Sequence, residues 1–111
     1  MSGEVGKGMM RMLWPDLEAA VDIDMHWDAA PTLCGLLWEE MPFRSVQEHA
    51  LITGCMLFAS TRISTLVREN STTFIDMLPG ACYFATGSQN LGLVYGAVTE
   101  PEGQSVWGRV Q

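Results

Sequence analysis

Basic residues are scarce in this chain. Lys7, Arg11, Arg44, Arg62, Arg68 and Arg109 stand singly against thirteen acidic residues, leaving a net charge of −7. A nucleic-acid or anionic-membrane partner is held by clustered cations that neutralise phosphates, so neither is expected. Long apolar runs are absent too, and none approaches the ~20 residues of a membrane span. The opening MSGEVGKGMM holds no apolar stretch of the kind that directs secretion, which predicts a cytoplasmic location. Cysteine is limited to Cys34, Cys55 and Cys82, far apart and without a CxxC pair. That pattern argues against both a disulfide framework and a thiolate zinc site, and reads as reduced thiols in the core. Glycine-rich phosphate loops and a G-x-S-x-G elbow are missing, so no cofactor and no metal are expected.

Apolar residues are plentiful. They make up 48% of 111 residues with only 17% charged, the balance of one globular domain. Residues 1–7 read as a flexible tail and 8–111 as the domain. Eight methionines and four tryptophans with so little charge point to extra apolar surface: a pocket, a subunit interface, or a methionine-rich core.

Residues 21–31, VDIDMHWDAAP, alternate strictly, with Asp22, Asp24, His26 and Asp28 between Val21, Ile23, Met25 and Trp27. Ligands of one metal ion must converge to within ~2.0–2.6 Å of it. Same-face strand neighbours lie about 6.6 Å apart, so this row is the wet side of a half-buried strand. Ile23, Met25 and Trp27 form its core side, and Asp28 is placed to cap the helix that follows. Residues 8–14 pair with this strand as a hairpin across the Trp14-Pro15-Asp16 turn.

A helix is predicted over about 30–41. Pro31 suits its first turn, Leu33, Leu36, Leu37 and Met41 share a face, and Pro42 stops it. Trp38 lies at its end, as core or as a pocket wall. Strands are predicted within FRSVQEHALI, CMLFAS, ACYFAT, LGLVYGAV and SVWGRV, with TRISTLVREN as loop or short strand. One helix among many short strands predicts a mainly β fold: a small closed barrel plugged by the helix.

Several stretches, in order, resemble cyclophilins: DAAPTLCGLLW their first helix, HALITGCM their H-R-I-I-P-G-F-M, PGACYFATGSQ their P-G-x-L-S-M-A and G-S-Q, and WGRV their closing F-G-K-V. The chain is similar, more closely in length, to small bacterial cyclophilin-like proteins that have a fold but no agreed activity. Here Ala30-Pro31, Thr32, Cys34, Leu37-Trp38-Glu39, Met41-Pro42, His49-Ala50 and Tyr95-Gly96 carry the match. The resemblance implies a cyclophilin-like barrel. It stops at the isomerase residues. Ala50 stands where the catalytic arginine belongs, Cys55 where a phenylalanine lines the proline pocket, and Phe58 where a glutamine does. Met56 and Gln89 are kept. Prolyl isomerisation has a barrier of roughly 18–20 kcal/mol, and without the donor and the socket no isomerase activity is expected.

The remaining chemistry centres on His49, a strand histidine that could serve as acid, base or ligand. Arg44, Tyr83 and Tyr95 are its expected polar partners, with Gln89 from the G-S-Q stretch. Cys55 falls within reach if residues 53–54 turn the chain, which would give a thiol a nearby base. His49, Arg44, Cys55, Tyr83, Gln89 and Tyr95 are therefore the expected ligand-binding residues, with His49 the candidate catalytic group. Three readings stay open: a cleft near His49 that binds a small organic metabolite or short peptide, an enzyme or enzyme subunit using His49 on amide or carboxylate metabolites, and a homo-oligomeric module.

Overall fold

The computed structural model describes residues 8–50, 54–100 and 102–111. The expected tail, the end of the strand predicted over 43–52, and Thr53 lie outside these residues.

Alternation builds the first hairpin as the pattern predicts. Strand β1 (Met9–Trp14) turns through a short 3-10 segment at Pro15–Leu17 into β2 (Ala19–Met25). Glu18 closes the turn in the left-handed region with φ 51°. Antiparallel register sets Met10 opposite Ile23 and Met12 opposite Val21, so these side chains share the inner face. Asp22 and Asp24 take the outer face, where Arg11 grips Asp22 through Nε at 2.7 Å. That bond holds the Asp22 carboxyl below its usual range. Trp27 is half-buried, and its indole N–H donates to the Gly8 carbonyl at 2.9 Å. Trp38 lies edge-on to it, with ring centroids 5.7 Å apart. The two rings crowd Gly8 so closely that a β-carbon there would overlap the Trp38 ring.

Helix α1 (Pro31–Glu40) occupies the expected span and buries Leu33, Cys34 and Leu37. Its N-terminus corrects one expectation. Asp28 does not cap it, and the N-cap residue Ala30 has no side-chain oxygen to offer. Instead Glu69, from a loop 36 residues downstream, accepts the backbone N–H groups of Leu33 at 2.9 Å and Thr32 at 3.2 Å. These are first-turn donors that a helix cannot satisfy itself. The carboxylate also complements the positive end of the helix dipole.

The remaining strands are β3 (Gln47–His49), β4 (Gly54–Ser60), β5 (Ser71–Thr73), β6 (Ala81–Ala85), β7 (Asn90–Val98) and β8 (Gly103–Val110). Their order across the sheet is β1-β2-β8-β6-β7-β4-β3, all neighbours antiparallel, with β5 added on β8. The fold is mainly β with one substantial helix. The expected closed barrel is not formed: the sheet is an open, curled half-barrel. Among the described residues β1 pairs only with β2, and β3 only with β4. Closure would need a ladder between β1 and β3, but β3 is three residues long. Among the described residues the hydrogen bond between them is made by side chains, the Trp14 indole N–H donating to Gln47 Oε1 at 2.5 Å.

The sheet buries both faces. On the concave face Met10, Ile23, Met25, Phe84, Leu93 and Trp107 pack around α1. On the convex face Met56, Phe74, Tyr83, Val94 and Val106 form a second cluster, covered by the 3-10 turn Phe74–Asp76. Residues 61–70 form an irregular segment, inside the expected range of loop or short strand, and bury Ile63 against the concave core. Burial pushes the Cys34 and Cys82 thiols up to about 12, Cys34 with a further contribution from Glu69. Both behave as small hydrophobes. No helix among the described residues is long and apolar enough to cross a membrane.

Candidate functional site

The opening between the free edges is a groove of about 1000 Å³. Met10, Met12 and Trp14 form one lip, because odd-and-even alternation turns these three of β1 inward. The other lip is Phe43, Arg44 and Gln47, carried by the chain that leaves α1 after Pro42. Leu57, Leu91 and Leu93 form the floor. The wall is apolar and rich in thioethers, with few polar groups, which is the composition of small-molecule sites. Arg44 is exposed and, among the described residues, has neither an ion pair nor a hydrogen bond. A guanidinium that no carboxylate engages, on the rim of an apolar groove that Asp16 also borders, offers a bidentate anion contact.

The structure brings some of the expected site residues together and separates the rest. His49 and Tyr95 meet: the Tyr95 hydroxyl lies 2.5 Å from His49 Nε2. His49 Nδ1 lies 2.6 Å from the Ala50 carbonyl, which can only accept. Nδ1 therefore carries the proton of the neutral ring, and Nε2 accepts from the Tyr95 O–H. Register puts this pair on the concave face. His49 is opposite Leu57, Leu57 is opposite Leu93, and Tyr95 is the next same-face residue of β7. The pair thus borders the groove one step beyond Leu57 and Leu93 without lining it.

Tyr83 belongs elsewhere. It is 3% exposed on the convex face, edge-on to Phe74 at 5.1 Å, with its hydroxyl donating to Met56 Sδ at 3.8 Å. Burial pushes it up to about 12. Its ring lies over Gly92, where a β-carbon would overlap the phenol. Cys55 is half-buried over Gly96, 3.1 Å from where a β-carbon of that glycine would stand. Gly96 presents the face opposite to Tyr95, so the thiol does not join His49 and no Cys–His pair forms. Gln89 sits in a left-handed turn with φ 58°, beside a separate polar depression of about 410 Å³ with Ser64, Thr65 and Ser88. Among the described residues no three of His, Cys, Asp and Glu gather as they would around a metal ion.

The sequence patterns did not single out Met10, Met12, Trp14, Phe43 or Leu57 as site residues. The methionine surplus was the available signal. Residue type and turn signals marked β1 and β4 as strands but not which part of either stays uncovered.

No protein-family model and no curated protein sequence matches the chain. A solved structure, that of McbB in complex with tryptophan, is similar to it with a TM-score of 0.83 and 25% identity. The match covers 94% of this chain and 34% of McbB, so the chain spans about a third of the length of that protein.

Proposed function

We propose that the chain binds a small organic acid with an apolar, aromatic body in the groove of the half-barrel. The observation that carries this is the unpaired Arg44 on the rim of a groove walled by Met10, Met12, Trp14 and Phe43. Apolar walls take up the body of a ligand, and thioethers adapt to its outline. The cation selects the carboxylate. McbB is known in complex with tryptophan, an aromatic acid, and this supports the same ligand class here, although only a third of that protein is matched.

Isothermal titration with indole-3-propionate tests the reading. The unaltered chain is expected to bind it, and Arg44→Ala to weaken binding about tenfold, the value of one charge-assisted contact. Equal affinity in the two proteins would remove Arg44, and with it the reading.

A second reading, a homo-oligomeric module, draws on the free edges of β1 and β3 and on Met9, Leu13, Leu17 and Val46, which are exposed near them. An unpaired edge bordered by apolar side chains is a template for pairing with another chain. Sedimentation giving the monomer mass at 100 µM would exclude it. Kinship with the small cyclophilin-like proteins is a further proposal and rests on the ordered sequence motifs alone.

A further inference from the structure

Taking the groove as a site for aromatic acids, we infer that the His49–Tyr95 pair is its second polar anchor, an acceptor for an N–H group at the end away from Arg44. Three observations carry this.

The first is direction. In the neutral ring, with Nδ1–H facing the Ala50 carbonyl, Tyr95 gives its only proton to His49 Nε2. The phenol oxygen is left with acceptor capacity only, and Tyr95 is 51% exposed, so that capacity is open to a ligand. The same bond ties the hydroxyl to the His49 ring before any ligand arrives.

The second is position. His49, Leu57 and Leu93 form one cross-strand row of the concave face, and Tyr95 follows Leu93 on that face. The phenol therefore stands on the same face as the groove floor, just beyond its end.

The third is spacing. Ser45, the neighbour of Arg44, donates its hydroxyl to the Ser60 carbonyl at 2.7 Å, which pins that part of the rim at the level of Ser60. The His49 row lies at Leu57, three residues along β4, about 10 Å away along the strand. A cation and an acceptor at the two ends of such a floor fit a ligand that carries a carboxylate on a short arm and an N–H across the ring from that arm. Aromatic acids of the indole class have that layout. Purely carbocyclic acids fill the walls and satisfy Arg44 but leave the phenol oxygen without a donor.

Two probes separate the parts of this claim: indole-3-propionate, and the same acid methylated on the ring nitrogen, which has no N–H. The unaltered chain is expected to prefer the first about fivefold, the value of one neutral hydrogen bond of about 1 kcal/mol. Tyr95→Phe is expected to abolish that preference by weakening only indole-3-propionate. Arg44→Ala is expected to weaken both probes alike. Equal affinity of the unaltered chain for the two probes overturns the second anchor, as does a Tyr95→Phe protein that loses both equally. Either result leaves the groove reading standing if Arg44→Ala still weakens both. Indifference of both probes to Arg44→Ala, or binding of neither to the unaltered chain, overturns the groove reading itself.

Discussion

Replacing Glu69 tests how α1 is held. Its carboxylate accepts the Leu33 and Thr32 N–H groups at 2.9 and 3.2 Å, from the far side of the molecule in sequence. Losing a helix cap costs about 0.5–2 kcal/mol, and an acidic group at a helix N-terminus contributes a further 0.3–1 kcal/mol or so. Glu69→Ala removes both, for a loss of about 2 kcal/mol. In a domain of this length each kcal/mol moves the midpoint by about 4 °C, so Tm should fall by about 8 °C in a circular-dichroism melt. Glu69→Gln keeps an acceptor and loses the charge, and should fall about half as far. Cys34 supplies a second readout. Glu69 is the lesser of two causes that hold the thiol up, burial being the larger. Both variants should therefore lower the pH at which Cys34 ionises in the folded state, followed at 240 nm, while leaving it above an ordinary thiol. A Tm within 2 °C of the unaltered protein in Glu69→Ala would refute the capping role. A drop as large in Glu69→Gln as in Glu69→Ala would refute the division between acceptor and charge.

Gly92→Ala should cost about 3 kcal/mol by denaturant titration, because the added carbon displaces the Tyr83 ring and unpacks Met56 and Phe74. Tyr83→Phe at the same spot should cost under about 1 kcal/mol, since only a weak bond to sulfur is lost. Cys34, Cys82 and Tyr83 all ionise near 12 when folded and lower when unfolded, so their contribution is complete below about pH 8.5 and is lost as pH rises towards 12. Urea midpoints should accordingly fall between pH 9 and 11, and Cys34→Ala/Cys82→Ala should flatten that fall. With Ala50 in place of a guanidinium, a coupled-protease assay on an X-Pro peptide should show no acceleration over the uncatalysed rate, and robust turnover would contradict this.

Local signals in the sequence located α1 and the first hairpin. Pro31, the leucine spacing and Pro42 bound the helix to within a residue, and the alternation from residue 19 onward set the inner face of β2. Long-range features were not legible. Whether β1 meets β3 depends on chain ends that lie more than thirty residues apart, and no pattern within either strand encodes the gap between them. Asp28 had the residue type of a cap but lies two residues before the N-cap position, Ala30. Glu69 won because the 61–70 segment lays its carboxylate against the helix start, with the Glu69 N–H itself donating to Ser105 Oγ. In the site, the pairing of His49 with Tyr95 was foreseen from residue type. Tyr83 was misplaced because an aromatic strand residue reads the same on either face; the mid-strand Gly92 that accommodates its ring was the overlooked clue.

The lips of the groove sit side by side in space yet are the first and last strands of the sheet. Among the described residues, six successive ladders separate β1 from β3 along the sheet. The width of the mouth is therefore a sum over the whole sheet. A small, uniform change in twist at each ladder accumulates across six of them and opens or narrows the mouth without breaking any backbone hydrogen bond. Trp14 and Gln47 are the one direct tie across that span among the described residues, so an occupant that parts them hands its strain to every strand at once.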